Sequence, residues 1–134
     1  MKSTIDEEKK LKQLMRERTY RVVSVDLDGT LAQYDKWEGY THIGAPNEKV
    51  ASYLRKERKR GAHIVIHSCR VATADNKIYP KAINAILRWL KKYKIPADEI
   101  WTGTGKVFAN LYIDDSAINP FCKECITRYE KTIY

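Results

Sequence analysis

The stretch YRVVSVDLDGTL, from Tyr20 to Leu31, decides how this chain is read. Val22, Val23 and Val25 form a run of β-branched residues, whose stiff side chains suit a pleated, buried surface. The run carries apolar residues on both faces, as a strand inside a parallel sheet does. It ends on Asp26, with a second carboxylate at Asp28, and Gly29 breaks the pattern immediately afterwards. The stretch therefore predicts a buried strand that delivers two carboxylates into a turn.

Working outward, residues 32–45 carry Gly39, Gly44 and the aromatics Tyr34, Trp37 and Tyr40, and read as an ordered loop or short hairpin. Pro46 suits the first turn of a helix over Asn47–Lys59, with Val50, Tyr53 and Leu54 on one face and Gly61 as its stop. AHIVIH, Ala62 to His67, is a second buried strand, followed by a loop from Ser68 to Asn76. A helix over about Tyr79–Tyr93 places Ile83, Ile86, Leu87 and Leu90 together, and Pro96 closes it. Short strands are expected at Glu99–Trp101 and Ala109–Ile113. On the other side of the central stretch, Ser3 to Arg18 reads as a mostly exposed, charged helix.

Strand and helix alternate, which predicts an α/β, Rossmann-like parallel sheet with right-handed crossovers and helices on both faces. In such sheets ligands sit beyond the carboxyl ends of the strands. That rule gathers Asp26, Ser68 and Asp114, which are far apart in sequence. The organisation expected is a charged N-terminal helix or arm over residues 1–19 and one domain over residues 20–134.

Composition narrows the classes. The 134 residues are 43% hydrophobic and 31% charged, enough for a packed core and too apolar for wholesale disorder. No apolar run approaches the roughly 18 residues of a membrane span, so no membrane partner is expected. The charged start, MKSTIDEEKK, lacks the apolar stretch of a secretory signal. Three cysteines cannot all pair within one chain, and together these features point to the reducing cytoplasm. Lys and Arg outnumber Asp and Glu by 25 to 17. The excess concentrates in Arg55–Gly61 and Lys91–Lys94, each closing a helical pattern where cations meet the negative end of the helix dipole. A surface facing a polyanion is the alternative reading of the same runs.

VDLDGTL, the apolar strand running into Ser68, Lys106 and the YIDD segment ending at Asp115 together resemble the haloacid dehalogenase-like superfamily of phosphohydrolases. The resemblance covers Tyr20 to Pro120, and its DxDGT motif is highly specific. Both intervals in which family members carry specificity caps are filled here by the basic fold and a short loop, so a domain without a cap is expected. The chemistry agrees with the residue types. A carboxylate exposed at a strand end can attack phosphorus and form an aspartyl-phosphate, the role of Asp26. A carboxyl two residues on can protonate the leaving oxygen and then activate water, the role of Asp28. Gly29 permits the bend and Thr30 secures it through its hydroxyl.

The same resemblance implies that Thr30, Ser68, Arg70 and Lys106 bind the phosphorylated substrate, with Ser68 and Lys106 also serving catalysis. Lys77 and Lys81 remain rivals of Lys106 for the motif lysine. It implies Mg²⁺ held by the Asp26 carboxylate, the Asp28 main-chain carbonyl and Asp114, with Asp115 binding through water or positioning Lys106. Two carboxylates after an apolar strand are costly without a cation or hydrogen bonds to receive them. His63 and His67 read as core or supporting residues. Cys122 and Cys125 form a lone CxxC, read as a structural thiol pair with zinc or redox use as the alternative.

The function expected is a Mg²⁺-dependent phosphomonoester hydrolase acting on a phosphorylated small molecule or nucleotide. The alternatives are a phosphatase of nucleic-acid 3′-phosphate ends and a non-catalytic phosphate-binding module. Asp28 argues against a dehalogenase, which has no phosphate ester oxygen to protonate. A phospho-receiver would need its acceptor aspartate where this chain has His67-Ser68-Cys69.

Overall fold

Val22–Asp26 forms β1, and its side chains from Val22 to Val25 are all buried. This computed structural model describes residues 6–10, 21–71, 77–103, 105–124 and 127. Behind β1 come α1 (Glu48–Lys59), β2 (His63–His67), α2 (Pro80–Lys92), β3 (Glu99–Ile100) and β4 (Leu111–Ile113). The strands form one sheet in the order β3-β2-β1-β4, and every pairing is parallel. The protein is thus a small, single-domain α/β fold of Rossmann-like type. Residues 6–10 are helical; the rest of the expected N-terminal arm lies outside the described residues, as does Cys125.

Local chemistry explains the helix limits. Asn47 caps α1, its side-chain oxygen accepting the Lys49 amide at 3.2 Å. Pro46 stands outside the helix, bridged to Ala32, instead of opening its first turn. Gly61 follows the end of α1 with φ of +86°, a conformation that only glycine adopts without strain. Pro80 opens α2, where its missing N–H loses nothing. The buried faces differ from the expected ones by one residue each. Tyr53 and Leu87 are exposed, while Ala51 and Leu54 on α1, and Ala82, Ala85, Ile86, Trp89 and Leu90 on α2, are buried.

Both helices pack on one face of the sheet. Val23 pairs with Ile64, and Val25 with Ile66, so these four point to the same side. They share a core with Ala51, Leu54, Ile86, Trp89 and Leu90. The connections β1→β2→β3 step across the sheet in one direction, and right-handed crossovers then place both helices on the same side. On the opposite face Val22 and Val65 pack with Val107, Trp101 and Ala109. Among the described residues that face therefore carries Trp101, Val107 and Ala109, where a helix was expected. No helix of the described residues is long and apolar enough to cross a membrane.

A buried carboxylate ties this frame together. Glu57, wholly inaccessible, accepts from Arg21 Nε at 2.6 Å and faces Arg60 Nη1 at 3.7 Å, tying the end of α1 to the start of β1. The Arg21 hydrogen bond holds its carboxyl below the usual range, overcoming burial. Asp98 behaves alike. Burial pushes it up, but the Ile64 amide at 2.7 Å and the bidentate Arg58 outweigh that and lower it.

Both folded-state pKa values lie below the unfolded ones, which are near 4. The stability they supply is therefore complete above about pH 5 and is lost as pH falls through 4 and below. In urea unfolding from pH 7 to pH 3, wild type should exceed a Glu57→Gln/Asp98→Asn variant at neutral pH. That difference should shrink across the acid window. A difference independent of pH would contradict the assignment.

Candidate active site

Parallel register brings the sequence-distant residues together. Asp26, last in β1, lies beside His67, last in β2, and Val25 pairs with Ile113, the residue before Asp114. Side-chain oxygens of Asp26, Asp114 and Asp115 all lie within 4.8 Å of one another. Burial and the nearby Asp114 charge push the Asp26 carboxyl up to about 7. Three carboxylates in such proximity repel unless a cation or protons intervene. Their all-oxygen donor set suits a hard divalent cation such as Mg²⁺, so the cluster can hold one.

The turn after β1 is built to support this cluster. Gly29 has φ of +85°, and a Cβ there would stand 2.7 Å from Asp115 Oδ2. Glycine is thus needed for both the bend and the approach of the last loop. Thr30 is buried, and its Oγ1 lies 3.2 Å from Asp26 Oδ2 and 3.1 Å from Asp115 Oδ1. Its single proton serves one carboxylate at a time, while its oxygen accepts the Asp115 amide at 2.9 Å. Thr30 therefore joins the first and last loops of the site. Asp114 Oδ1 accepts the Ser116 amide at 2.8 Å, which orients that carboxylate.

Asp28 stands apart from the cluster. Arg70 grips it in a bidentate pair, Nε to Oδ2 at 2.9 Å and Nη2 to Oδ1 at 2.6 Å. Its side chain is held by Arg70 and is not one of the three carboxylates gathered within 4.8 Å. Arg70 itself is buried. Ser68 is also buried, and its Oγ accepts the Arg70 amide at 3.3 Å, leaving its own proton to donate.

Lys106 lies with its ammonium 4.4 Å from the Tyr112 ring centre. With His67 and Asp114 it lines a cavity of about 470 Å³ at the carboxyl edge. Lys77 and Lys81 are exposed and line neither cavity described here. His67 is exposed and belongs to the site's edge, while His63 lies at the other end of β2, near Asp98 and Glu99. A second cavity, of about 390 Å³, opens on the other side of Asp28. Its lining includes Arg70, Tyr34, Lys36, Glu38 and His42, so the loop after β1 forms its wall.

The basic runs lie elsewhere. Arg58 holds Asp98 through two bonds of 2.9 Å, and Arg55 donates to the Tyr93 and Lys94 carbonyls. These contacts surround the amino ends of β2 and β3. The length of β2, about 13 Å over its four steps at about 3.3 Å each, separates them from the carboxylates. Structural work at helix ends accounts for Arg55 and Arg58. Sequence reasoning also missed the partners of Arg70, which are largely main-chain carbonyls of the loop after β1; carbonyls leave no mark in residue types.

No known family profile matches the chain, and no curated protein matches it. Solved structures do. An MCSG target protein from Vibrio cholerae superposes with a TM-score of 0.52 at 28% identity, over 84% of this chain and 98% of that one. A conserved protein from Bacteroides thetaiotaomicron gives 0.55 at 17% identity, over 86% and 93%. A chain of the Pnkp1/Rnl/Hen1 RNA repair complex gives 0.47 at 22% identity, over 85% of this chain and 31% of that one. The first two likenesses, each spanning most of both chains, establish that the α/β fold described above is one that solved proteins share.

Proposed function

We propose that this protein is a Mg²⁺-dependent phosphomonoester hydrolase that works through an aspartyl-phosphate on Asp26. The observation that carries the reading is the convergence of Asp26, Asp114 and Asp115 within 4.8 Å at the end of a buried strand headed by DxDGT. The resemblance of the sequence to the haloacid dehalogenase-like superfamily supports it. The cation, when bound by Asp26, Asp114 and the Asp28 carbonyl, supplies positive charge that offsets the crowded carboxylates and the phosphoryl oxygens.

The chain's own residues perform the rest. Asp26 attacks phosphorus, and the ester oxygen leaves with a proton from the Asp28 carboxyl. In the second half Asp28 takes a proton from water, which attacks the acyl phosphate and regenerates Asp26. Ser68 donates to a phosphoryl oxygen and Lys106 neutralises charge building on the same group. Thr30 keeps Asp26 and Asp115 in register by its bonds to both.

A small phosphorylated molecule or nucleotide is the favoured substrate class. The cavity next to Asp28, about 390 Å³, has the size of a small-molecule site. A nucleic-acid 3′-phosphate end is the second reading, favoured by the aromatic loop, on which a base can stack. The engaged arginines at the far end of the sheet give it no help.

Asp26→Asn should abolish turnover in a p-nitrophenyl phosphate assay, because an amide forms no acyl phosphate. Near-wild-type rates, with deamidation excluded by mass spectrometry, would refute the nucleophile. Asp28→Asn should lose roughly 10²–10⁴-fold, the usual range for a general acid–base group.

Activity should vanish in EDTA and return with Mg²⁺. By calorimetric titration Asp114→Ala should weaken Mg²⁺ binding more than Asp115→Ala, since Asp115 is already engaged by Thr30. The reverse order would exchange their roles, and full activity in EDTA would exclude the metal.

A further inference from the structure

Arg70 is the most heavily engaged side chain near the site, with 2% of it exposed. Its Nε and Nη2 hold both oxygens of Asp28. Its Nη1 donates to the carbonyl oxygens of His42 at 2.7 Å and Tyr40 at 3.1 Å, with that of Gly39 at 3.5 Å. The guanidinium carbon stands 5.1 Å from the centre of the Trp37 ring. Trp37 meets Tyr40 edge-on at 4.9 Å, and Tyr40 lies on Tyr79, just before α2, at 4.4 Å.

The loop after β1 is secured at its base by independent means. Gln33 donates its amide to the Ala45 carbonyl at 2.8 Å, and Trp89 Nε1 donates to the Gly44 carbonyl at 2.9 Å. At its tip, the hydrogen bonds to carbonyls 39, 40 and 42 come from Arg70, together with the His42 amide on Gly39 at 3.3 Å. That tip adjoins the cavity that Asp28 lines. One planar fork thus reaches the carboxyl on one side and the loop on the other, a geometry that lysine's point charge cannot reproduce.

We propose that Arg70 is a positioning residue that aligns Asp28 with the wall of the adjoining cavity, so that proton transfer to the leaving group and the seating of that group depend on one side chain. The proposal rests on the phosphomonoesterase reading, and it gives Arg70 a role other than phosphate binding. The edge of the guanidinium suited to a phosphate fork is occupied by Asp28. A leaving group held in the cavity lies against both the loop tip and Asp28. Displacing the tip therefore misplaces the acid, and the loss is greatest for leaving groups that most need a proton.

The test compares wild type, Arg70→Lys, Arg70→Gln and Trp37→Leu on p-nitrophenyl phosphate, phenyl phosphate and glycerol phosphate, with inorganic phosphate as inhibitor. In Arg70→Lys, kcat/KM on glycerol phosphate should fall on the order of 10²-fold, within the range for impaired acid–base catalysis. The p-nitrophenyl ester should lose much less, and KM and phosphate inhibition should stay close to wild type. Trp37→Leu, which leaves the Arg70–Asp28 pair in place, should show the same trend more weakly. A uniform rise in KM and weaker phosphate inhibition, with kcat retained, would make Arg70 a phosphate ligand and overturn the proposal. Equal loss of kcat/KM, which reports the phosphorylation half alone, for all three esters would overturn it too.

A second measurement separates this proposal from the reading beneath it. Hydrogen exchange of the peptide spanning residues 37–43 should quicken in Arg70→Lys and also in Asp28→Asn, which loosens the same anchor from its other side. Unchanged exchange in both overturns the alignment, whatever the kinetics. Quickened exchange in a protein that hydrolyses none of the esters supports the anchor and refutes the phosphomonoesterase.

Discussion

Parallel pairing of β1 with a neighbour on each side is the constraint on which this molecule depends. Because β2 and β4 both run alongside β1 in the same direction, all three end at one edge, and their following residues converge there. Asp26, Ser68 and Asp114 owe their proximity to that arrangement, although 88 positions separate the first from the last in sequence. An antiparallel neighbour would send one of these residues to the opposite edge. Burial of Val22 to Val25 on both faces of β1 keeps the central strand in place, since a slip of one residue would exchange its two faces.

That edge divides into two electrostatic compartments. On one side three carboxylates crowd together, two of them, Asp26 and Asp115, bonded by Thr30, with Asp115 brought close because Gly29 has no Cβ. On the other, Asp28 is neutralised by a buried arginine. The separation is chemically sensible. In the proposed reaction a cation lies where the phosphoryl group and nucleophile meet, and a proton carrier where the leaving group departs. Two aspartates only two positions apart reach these different surroundings because the turn after β1 points them in different directions.

The distribution of positive charge follows the same polarity. Helix ends fall at the amino edge of the sheet in a right-handed crossover, so the basic ends of α1 and α2 lie opposite the site. There Arg55 and Arg58 join helix to helix and helix to strand. Net positive charge is therefore a poor guide to what approaches Asp26. At the carboxyl edge the surroundings are mixed, with Lys106 and His67 on one flank and Glu38, Lys36 and His42 on the other.

Much of this was legible in residue order. The β-branched run into Asp26, the helix stop at Gly61, and the apolar run ending in Asp114 and Asp115 are local signals, and local sterics and hydrogen bonding decide them. Alternation of strands and helices made the parallel sheet predictable as well. Other features depended on contacts between distant segments. That both helices share one face follows from strand order, which periodicity does not encode. Glu57 looked like one charge in a basic run until Arg21, 36 residues away, received it in the interior. Arg70 read as a donor for a phosphate, and its main-chain carbonyl partners in another loop had no signal in residue types, because any residue type can supply a carbonyl. The sequence by itself determined the strands of the sheet and the carboxylates that stand at their ends. Only the tertiary structure decided which of those groups face one another, because burial and charge pairing are properties of surfaces brought together by folding.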